Sequence, residues 1–127
     1  MQILKIEISP NMPNVVLMKN SNFPLFLLLS AIVEEIIFRL LPLSLSVLFW
    51  DKSYKVFVIM ILSSIVFGWL HNGFEHIFIQ GFSAVILGIL FLKTGGFQKK
   101  FLKATFCCVI VHFSFNMICF CIWSSFQ

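Results

Sequence analysis

The sequence predicts an all-α, polytopic membrane protein, a bundle of about four transmembrane helices. Of its 127 residues, 60% are hydrophobic and only 11% are charged, a composition typical of membrane proteins. Four apolar runs are each long enough to span a bilayer. Lysines flank these runs, as the positive-inside rule expects, so the net charge of +4 does not indicate nucleic-acid binding.

The predicted organisation is a leader or interfacial segment over residues 1–22, followed by a membrane-embedded core over residues 23–127. The leader has mixed polarity and contains Pro10 and Pro13. It lacks the basic and apolar regions of a cleavable signal peptide. Within the core, helices are predicted over about residues 23–49, 54–72, 77–94 and 101–123.

The first predicted helix begins at a capping sequence and contains an internal proline. Asn22 is a cap candidate, and Pro24 suits the first helical turn. Pro42 has no N–H to donate to the carbonyl of Phe38, so we expect a kink just beyond Arg39.

Small and turn-forming residues mark the ends of the second and third helices. The second helix is expected to stop at Asn72, and the third at Gly95. Glu75 and His76 are therefore expected in the loop between these two helices.

The third and fourth helices also carry small residues with packing roles. Ala84 and Gly88 form a small-xxx-small pair suited to close helix contact. The spacing of the cysteines matches no zinc finger or ribbon, and in lipid they are expected to pack as small apolar side chains. All four lie in the last apolar run, at Cys107, Cys108, Cys119 and Cys121.

The most informative stretch is the charged sequence inside the first helix, which contains Glu34, Glu35 and Arg39. One charge near the bilayer centre costs roughly 2.5–3.5 kcal/mol, so three unpaired charges cost on the order of 8–10 kcal/mol. At about 100° per residue, Glu35 and Arg39 share one helix face and can pair. Glu34 points about 100° away from Glu35 and is left without a local partner. We therefore expect Glu34 to serve a site.

Two other helices carry polar groups of the kinds that bind metals or move protons. His71 lies at the end of the second helix, one turn after Phe67. His112 and Asn116 lie one turn apart on one face of the fourth helix. In antiparallel helices these depths are compatible with one cluster around Glu34. Taken singly, His71 is also typical of an interfacial residue, and the His/Asn pair of inter-helix contact.

These motifs, in this order along the chain, resemble the signature of the CPBP family. That family comprises the CAAX-protease and bacteriocin-processing intramembrane proteases, also called the Abi family, and includes the type II CAAX prenyl endopeptidases. The segment from Gln80 to Gly95 resembles the family's third core helix and its exit, and the resemblance covers about residues 24–123. The motifs are Glu34-Glu35-x-x-x-Arg39, Phe67-x-x-x-His71 and His112-x-x-x-Asn116.

The resemblance implies a membrane-embedded endopeptidase that hydrolyses peptide bonds of a membrane-associated or prenylated substrate. By position, Glu34 would be the base that activates water, with Glu35 and Arg39 in support. Asn116 would assist at the oxyanion, and Phe67 would pack or contact substrate. Peptide hydrolysis does require an activated water and a stabilised oxyanion.

The resemblance also implies that His71 and His112 bind a metal or stabilise the oxyanion. Glu34, His71 and His112 form a permissible ligand set for Zn²⁺ with one open position. The sequence contains no HExxH motif, so both a zinc mechanism and a metal-free glutamate mechanism stay open.

The expected partners are membrane lipids and a peptide or membrane-protein substrate, in a bacterial cell membrane. The family's enzymes usually carry additional spanning helices, so an oligomer or helices from a partner are also expected. Two alternatives stay open: a non-catalytic bacteriocin-immunity or membrane interaction protein, and a small proton- or cation-conducting bundle, since intramembrane Glu, His and Arg also build relays.

Overall fold

The computed structural model describes residues 22–50, 53–71 and 74–125, and these residues form a helical bundle that contains no strand. The predicted all-α fold class is confirmed. The predicted leader lies outside the described residues except for Asn22, as does the predicted stop at Asn72. Within these ranges the chain forms five α-helices: α1 (Phe23–Glu35), α2 (Leu41–Phe49), α3 (Ser53–Leu70), α4 (Phe74–Phe91) and α5 (Phe101–Ser124).

In the part of the chain that the structure describes, three helical stretches are long and apolar enough to cross a membrane: Ser53–Leu70, Phe74–Gly96 and Phe101–Ile122. Large apolar side chains cover their outer surfaces, with Ile79 and Phe106 among the most exposed. Helices that are hydrophobic on all sides are expected in lipid. The chain is therefore a polytopic helical membrane protein, as predicted.

A π-helical turn over Ile36–Leu40 joins α1 to α2, at the place where the sequence predicts a kink. Pro42 cannot donate to the carbonyl of Phe38. The hydroxyl of Ser63 on α3 donates to that carbonyl instead, at 2.6 Å. Wide turns of this kind occur frequently at functional sites, and this one carries Arg39.

The α3–α4 pair makes the most extensive helix contact in the bundle. A Cβ atom on Gly68 would lie 2.7 Å from the Cα of Ile77, and one on Gly88 would lie 2.6 Å from Cγ of Met60. Ala84 is buried between these positions. Small residues therefore bring the two helices together, as the Ala84/Gly88 spacing predicts.

The start of α4 corrects one expectation from the sequence. Glu75 and His76, expected in a loop, lie in the first turn of α4, which begins at Phe74. An acidic residue at Glu75 complements the positive end of the helix dipole. The exit of this helix does coincide with glycine, since a second π-helical turn over Leu92–Gly96 follows Phe91.

Buried apolar side chains fill the bundle between α2, α3, α4 and α5. Cys108 is one of them, and its thiol donates to the carbonyl of Leu87 at 3.4 Å. All four cysteines are free. We call this group the core cluster: Leu43, Val56, Met60, Leu87, Phe91, Leu92, Ala104 and Cys108.

Candidate active site

Four ionisable side chains meet inside the bundle and form what we call the charged cluster. Glu34 and Glu35 come from the end of α1, Arg39 from the π-helical turn and His112 from α5. Their exposed fractions are 6%, 0%, 2% and 9%, in that order. Charges this deeply buried are expected to be paired, so the pairing of each side chain shows what it supports.

The ion pair predicted from the sequence is present between Glu35 and Arg39, with Nη1 to Oε1 at 3.3 Å. The guanidinium of Arg39 also lies over the ring of Phe67, 4.6 Å from its centroid. Yet Oε2 of Glu35 and both terminal nitrogens of Arg39 have no hydrogen-bond partner among the described residues. The pair therefore offsets charge but leaves hydrogen-bonding capacity unused.

His112 is oriented by Glu35. Its Nδ1 donates to Glu35 Oε1 at 2.7 Å. An ionised carboxylate only accepts, so Nδ1 carries a proton and the other ring nitrogen is left to face its surroundings. That nitrogen, Nε2, lies 3.6 Å from Oε2 of Glu34. The sequence predicts that His112 faces Glu34. In the structure His112 faces both carboxylates and lies closest to Glu35.

Glu34 is not without a local partner, which corrects a second expectation. The hydroxyl of Ser30 donates to Glu34 Oε1 at 2.8 Å. Ser30 lies four residues earlier on the same helix, so the i,i+4 spacing that predicted the Glu35–Arg39 pair also carried this signal. Ser30 holds one oxygen of Glu34 and thereby orients the other toward His112.

The arrangement of Glu34 and His112 suits a water molecule held by two acceptors. A water about 2.8 Å from both Glu34 Oε2 and His112 Nε2 forms a triangle with their 3.6 Å separation. One O–H then points at each acceptor, and a lone pair points away from both. This is the geometry that a general base needs to activate a nucleophilic water.

Phe67 lies between the charged cluster and His71. Its buried ring is 6.4 Å from the His112 ring and 4.2 Å from the His71 ring, centroid to centroid. His71 Nδ1 donates to the backbone carbonyl of Phe67 at 2.9 Å. Among the described residues, no hydrogen bond or ion pair joins His71 to Glu34, Glu35 or His112. Phe67 thus has a clear packing role, and His71 contacts the site through its ring.

The predicted zinc ligands are not gathered as a set. Within the part of the chain that the structure describes, no group of three or more His, Cys, Asp or Glu side chains is arranged to hold a metal ion. His71 is engaged with Phe67, and His112 Nδ1 with Glu35. The zinc site therefore stays a prediction.

A cavity of about 160 Å³ lies beside His112, between α4 and α5. Its inner end is buried, whereas Ile86, Val111 and Phe115 at its rim are 46–56% exposed on the outer surface of the bundle. The cavity therefore opens sideways, toward the surface that faces lipid. Its lining comprises Phe67, Gln80, Ser83, Ile86, Leu87, Val111, His112, Phe115 and Asn116.

Comparison with known families agrees with the motifs. The family model described as type II CAAX prenyl endopeptidase Rce1-like matches residues 18–118, which is most of the chain. No curated protein and no solved structure matches. The matched range includes the charged cluster, His71 and Asn116.

Proposed function

The chain belongs to the Rce1-like family of type II CAAX prenyl endopeptidases, and we propose that it hydrolyses a peptide bond of a membrane-associated substrate with a water activated by Glu34. Membership of the family supports a CAAX-type membrane protease, which agrees with the resemblance seen in the sequence. The mechanism is carried by one observation. Glu34 Oε2 and His112 Nε2 lie 3.6 Å apart in a buried site, each oriented by a separate partner.

In this mechanism Glu34 and His112 hold the water together. Glu34 accepts a proton as the water oxygen attacks the carbonyl carbon, and His112 accepts a hydrogen bond from the second O–H. The carbonyl oxygen becomes an oxyanion, and the carboxamide of Asn116, on the wall of the adjacent cavity, donates to it. The C–N bond then breaks, and Glu34 returns its proton to the leaving amine.

Glu35 and Arg39 act one step away from the water. Glu35 accepts from His112 Nδ1, which keeps Nε2 free to face Glu34. Arg39 offsets the charge of Glu35 at 3.3 Å. The two carboxylates therefore have separate roles: Glu34 in proton transfer and Glu35 in positioning.

The cavity indicates how a substrate would reach these groups. An engineered cavity of about 150 Å³ accepts one benzene molecule, so a space of about 160 Å³ admits one side chain or a short piece of backbone. A prenyl chain is much larger and would stay in the lipid beyond the rim. The substrate would then enter sideways from the bilayer with its lipid anchor still in the membrane.

The test uses purified protein in liposomes with a fluorescent, prenylated peptide. Replacing Glu34 by Gln keeps the size of the side chain but removes the base, so kcat is expected to fall by about 10²–10⁴-fold. Glu75→Gln is the matched control, because Glu75 is an exposed carboxylate on α4. This variant should cleave the peptide at the rate of the unchanged protein. Equal cleavage by Glu34→Gln would contradict the mechanism. Absence of cleavage of any prenylated or membrane peptide would instead support a non-catalytic interaction protein.

A chelator provides a second, independent test. The proposed water is held by Glu34 and His112 alone, so activity should survive treatment with a zinc chelator. Loss of activity that added zinc restores would replace this water-only mechanism by one that uses the predicted ligands Glu34, His71 and His112.

A further inference from the structure

Two carboxamides line the cavity from opposite walls. Gln80 projects from α4 and Asn116 from α5, and both are half-buried. Among the described residues, neither side-chain amide forms a hydrogen bond. The Ser83 hydroxyl donates to the backbone carbonyl of Gln80 at 2.8 Å, not to its side chain. Gln80 belongs to none of the three sequence motifs.

The chemistry of a carboxamide narrows what can occupy such a cavity. Each carboxamide offers two N–H donors and one carbonyl acceptor. Away from water these groups require partners, and acyl or prenyl chains have none to offer. A peptide backbone presents the matching set, an N–H and a C=O at each residue. The paired amides therefore fit peptide backbone better than they fit lipid.

We propose that Gln80 is a substrate-binding residue whose carboxamide binds the peptide backbone next to the scissile bond. The inference rests on the proposed function, because it takes the substrate as a peptide whose scissile carbonyl faces His112 and Asn116 on α5. Gln80 then holds the same segment from the α4 side. Recognition by backbone is independent of side-chain identity at that position, so Gln80 contributes to affinity without restricting sequence there.

The first experiment compares kinetic constants of cavity variants. Gln80→Leu is expected to raise KM by about tenfold, the effect of losing one hydrogen bond, with a smaller change in kcat. Gln80→Met, which is unbranched like Gln, should behave in the same way and guards against a packing artefact of Leu. Gln98→Leu, at an exposed position before α5, is the matched control and should leave KM unchanged.

The second experiment removes the hydrogen-bonding group from the substrate instead. Ester bonds replace single backbone amides on either side of the scissile bond, which deletes one N–H or weakens one C=O with little change in shape. With the unchanged protein, one such position should raise KM by about tenfold. With Gln80→Leu the same ester should have no further effect, since the partner is already gone.

The third experiment measures binding without hydrolysis, with a fluorescent peptide whose scissile amide is reduced to an amine. Gln80→Leu should weaken its binding by about tenfold. Equal affinity and equal KM for Gln80→Leu and the unchanged protein, or ester effects that simply multiply with the mutation, would overturn the role of Gln80. If Glu34→Gln is inactive in the same assays, the proposed function survives that outcome. If no peptide is cleaved, the binding comparison still decides for or against Gln80.

Discussion

The core cluster and the charged cluster occupy neighbouring parts of the same bundle but bury opposite kinds of side chain. In the core cluster, Met60 and Phe91 are buried by tight packing of apolar surfaces. In the charged cluster, Glu35 and Arg39 are buried as deeply, yet three of their polar atoms lack hydrogen-bond partners among the described residues. Helices in lipid associate through packing and inter-helix hydrogen bonds. The core cluster therefore supplies stability, whereas the charged cluster is costly and suits chemistry.

The largest expected effect on stability comes from removing one charge of the charged cluster. Glu35→Leu leaves Arg39 buried without its counter-ion, which should lower the free energy of unfolding by about 3–5 kcal/mol. The double variant Glu35→Leu/Arg39→Met removes both charges and should recover most of that loss. Reversible unfolding in mixed micelles measures both values.

Activity separates the two roles of Glu35. The double variant Glu35→Leu/Arg39→Met should be stable but should not cleave the peptide, because His112 no longer has the Glu35 carboxylate to orient it. A single variant as stable as the unchanged protein would mean that Arg39 does not depend on Glu35.

The next largest effect is a loss of stability when alanine replaces a glycine in the α3–α4 contact. Gly68→Ala places a Cβ 2.7 Å from the backbone of Ile77, whereas Gly88→Ala places one 2.6 Å from the side chain of Met60. Backbone cannot move aside, while a methionine can change rotamer. Gly68→Ala should therefore cost more, in the range of about 1–3 kcal/mol. Thermal unfolding of the two variants checks the order, and a greater loss for Gly88→Ala would reverse this account of the contact.

The smallest effect concerns the π-helical turn that carries Arg39. Ser63→Ala removes the hydrogen bond to the Phe38 carbonyl, and inter-helix hydrogen bonds in membranes contribute about 0.6 kcal/mol on average and about 1.7 kcal/mol at most. Ser64→Ala is the control, since that hydroxyl bonds to Met60 within its own helix. Unfolding of the pair should show a difference of this size. Identical values would indicate that Ser63 does not support the turn.

The fold and part of the site could be predicted because their signals are local. Apolar runs and glycines predict the helices, and i,i+4 spacing predicts the Glu35–Arg39 pair. The same spacing would also have identified Ser30 as a partner of Glu34. The family motifs led to His112 and Asn116 from their order along the chain.

Other features of the site depend on how the helices pack against one another, which local sequence patterns do not predict. His112 lies closest to Glu35 because α5 packs against α1, and residue spacing within one helix does not determine that contact. The cavity that joins Gln80 to Asn116 likewise exists only once α4 and α5 pack together. Zinc, additional helices from a partner and a bacterial cell membrane stay predictions.

The most direct test of the contrast is the cleavage rate per folded molecule of one variant from each cluster. Met60→Ala opens a void in the core cluster and should lower the free energy of unfolding by about 2–5 kcal/mol. Its folded molecules should still cleave within about threefold of the unchanged protein, since general-base chemistry does not involve Met60. Folded Glu34→Gln should lose at least about 10²-fold in rate at nearly unchanged stability. Cleavage by Glu34→Gln at the rate of Met60→Ala would contradict the assignment of catalysis to the charged cluster.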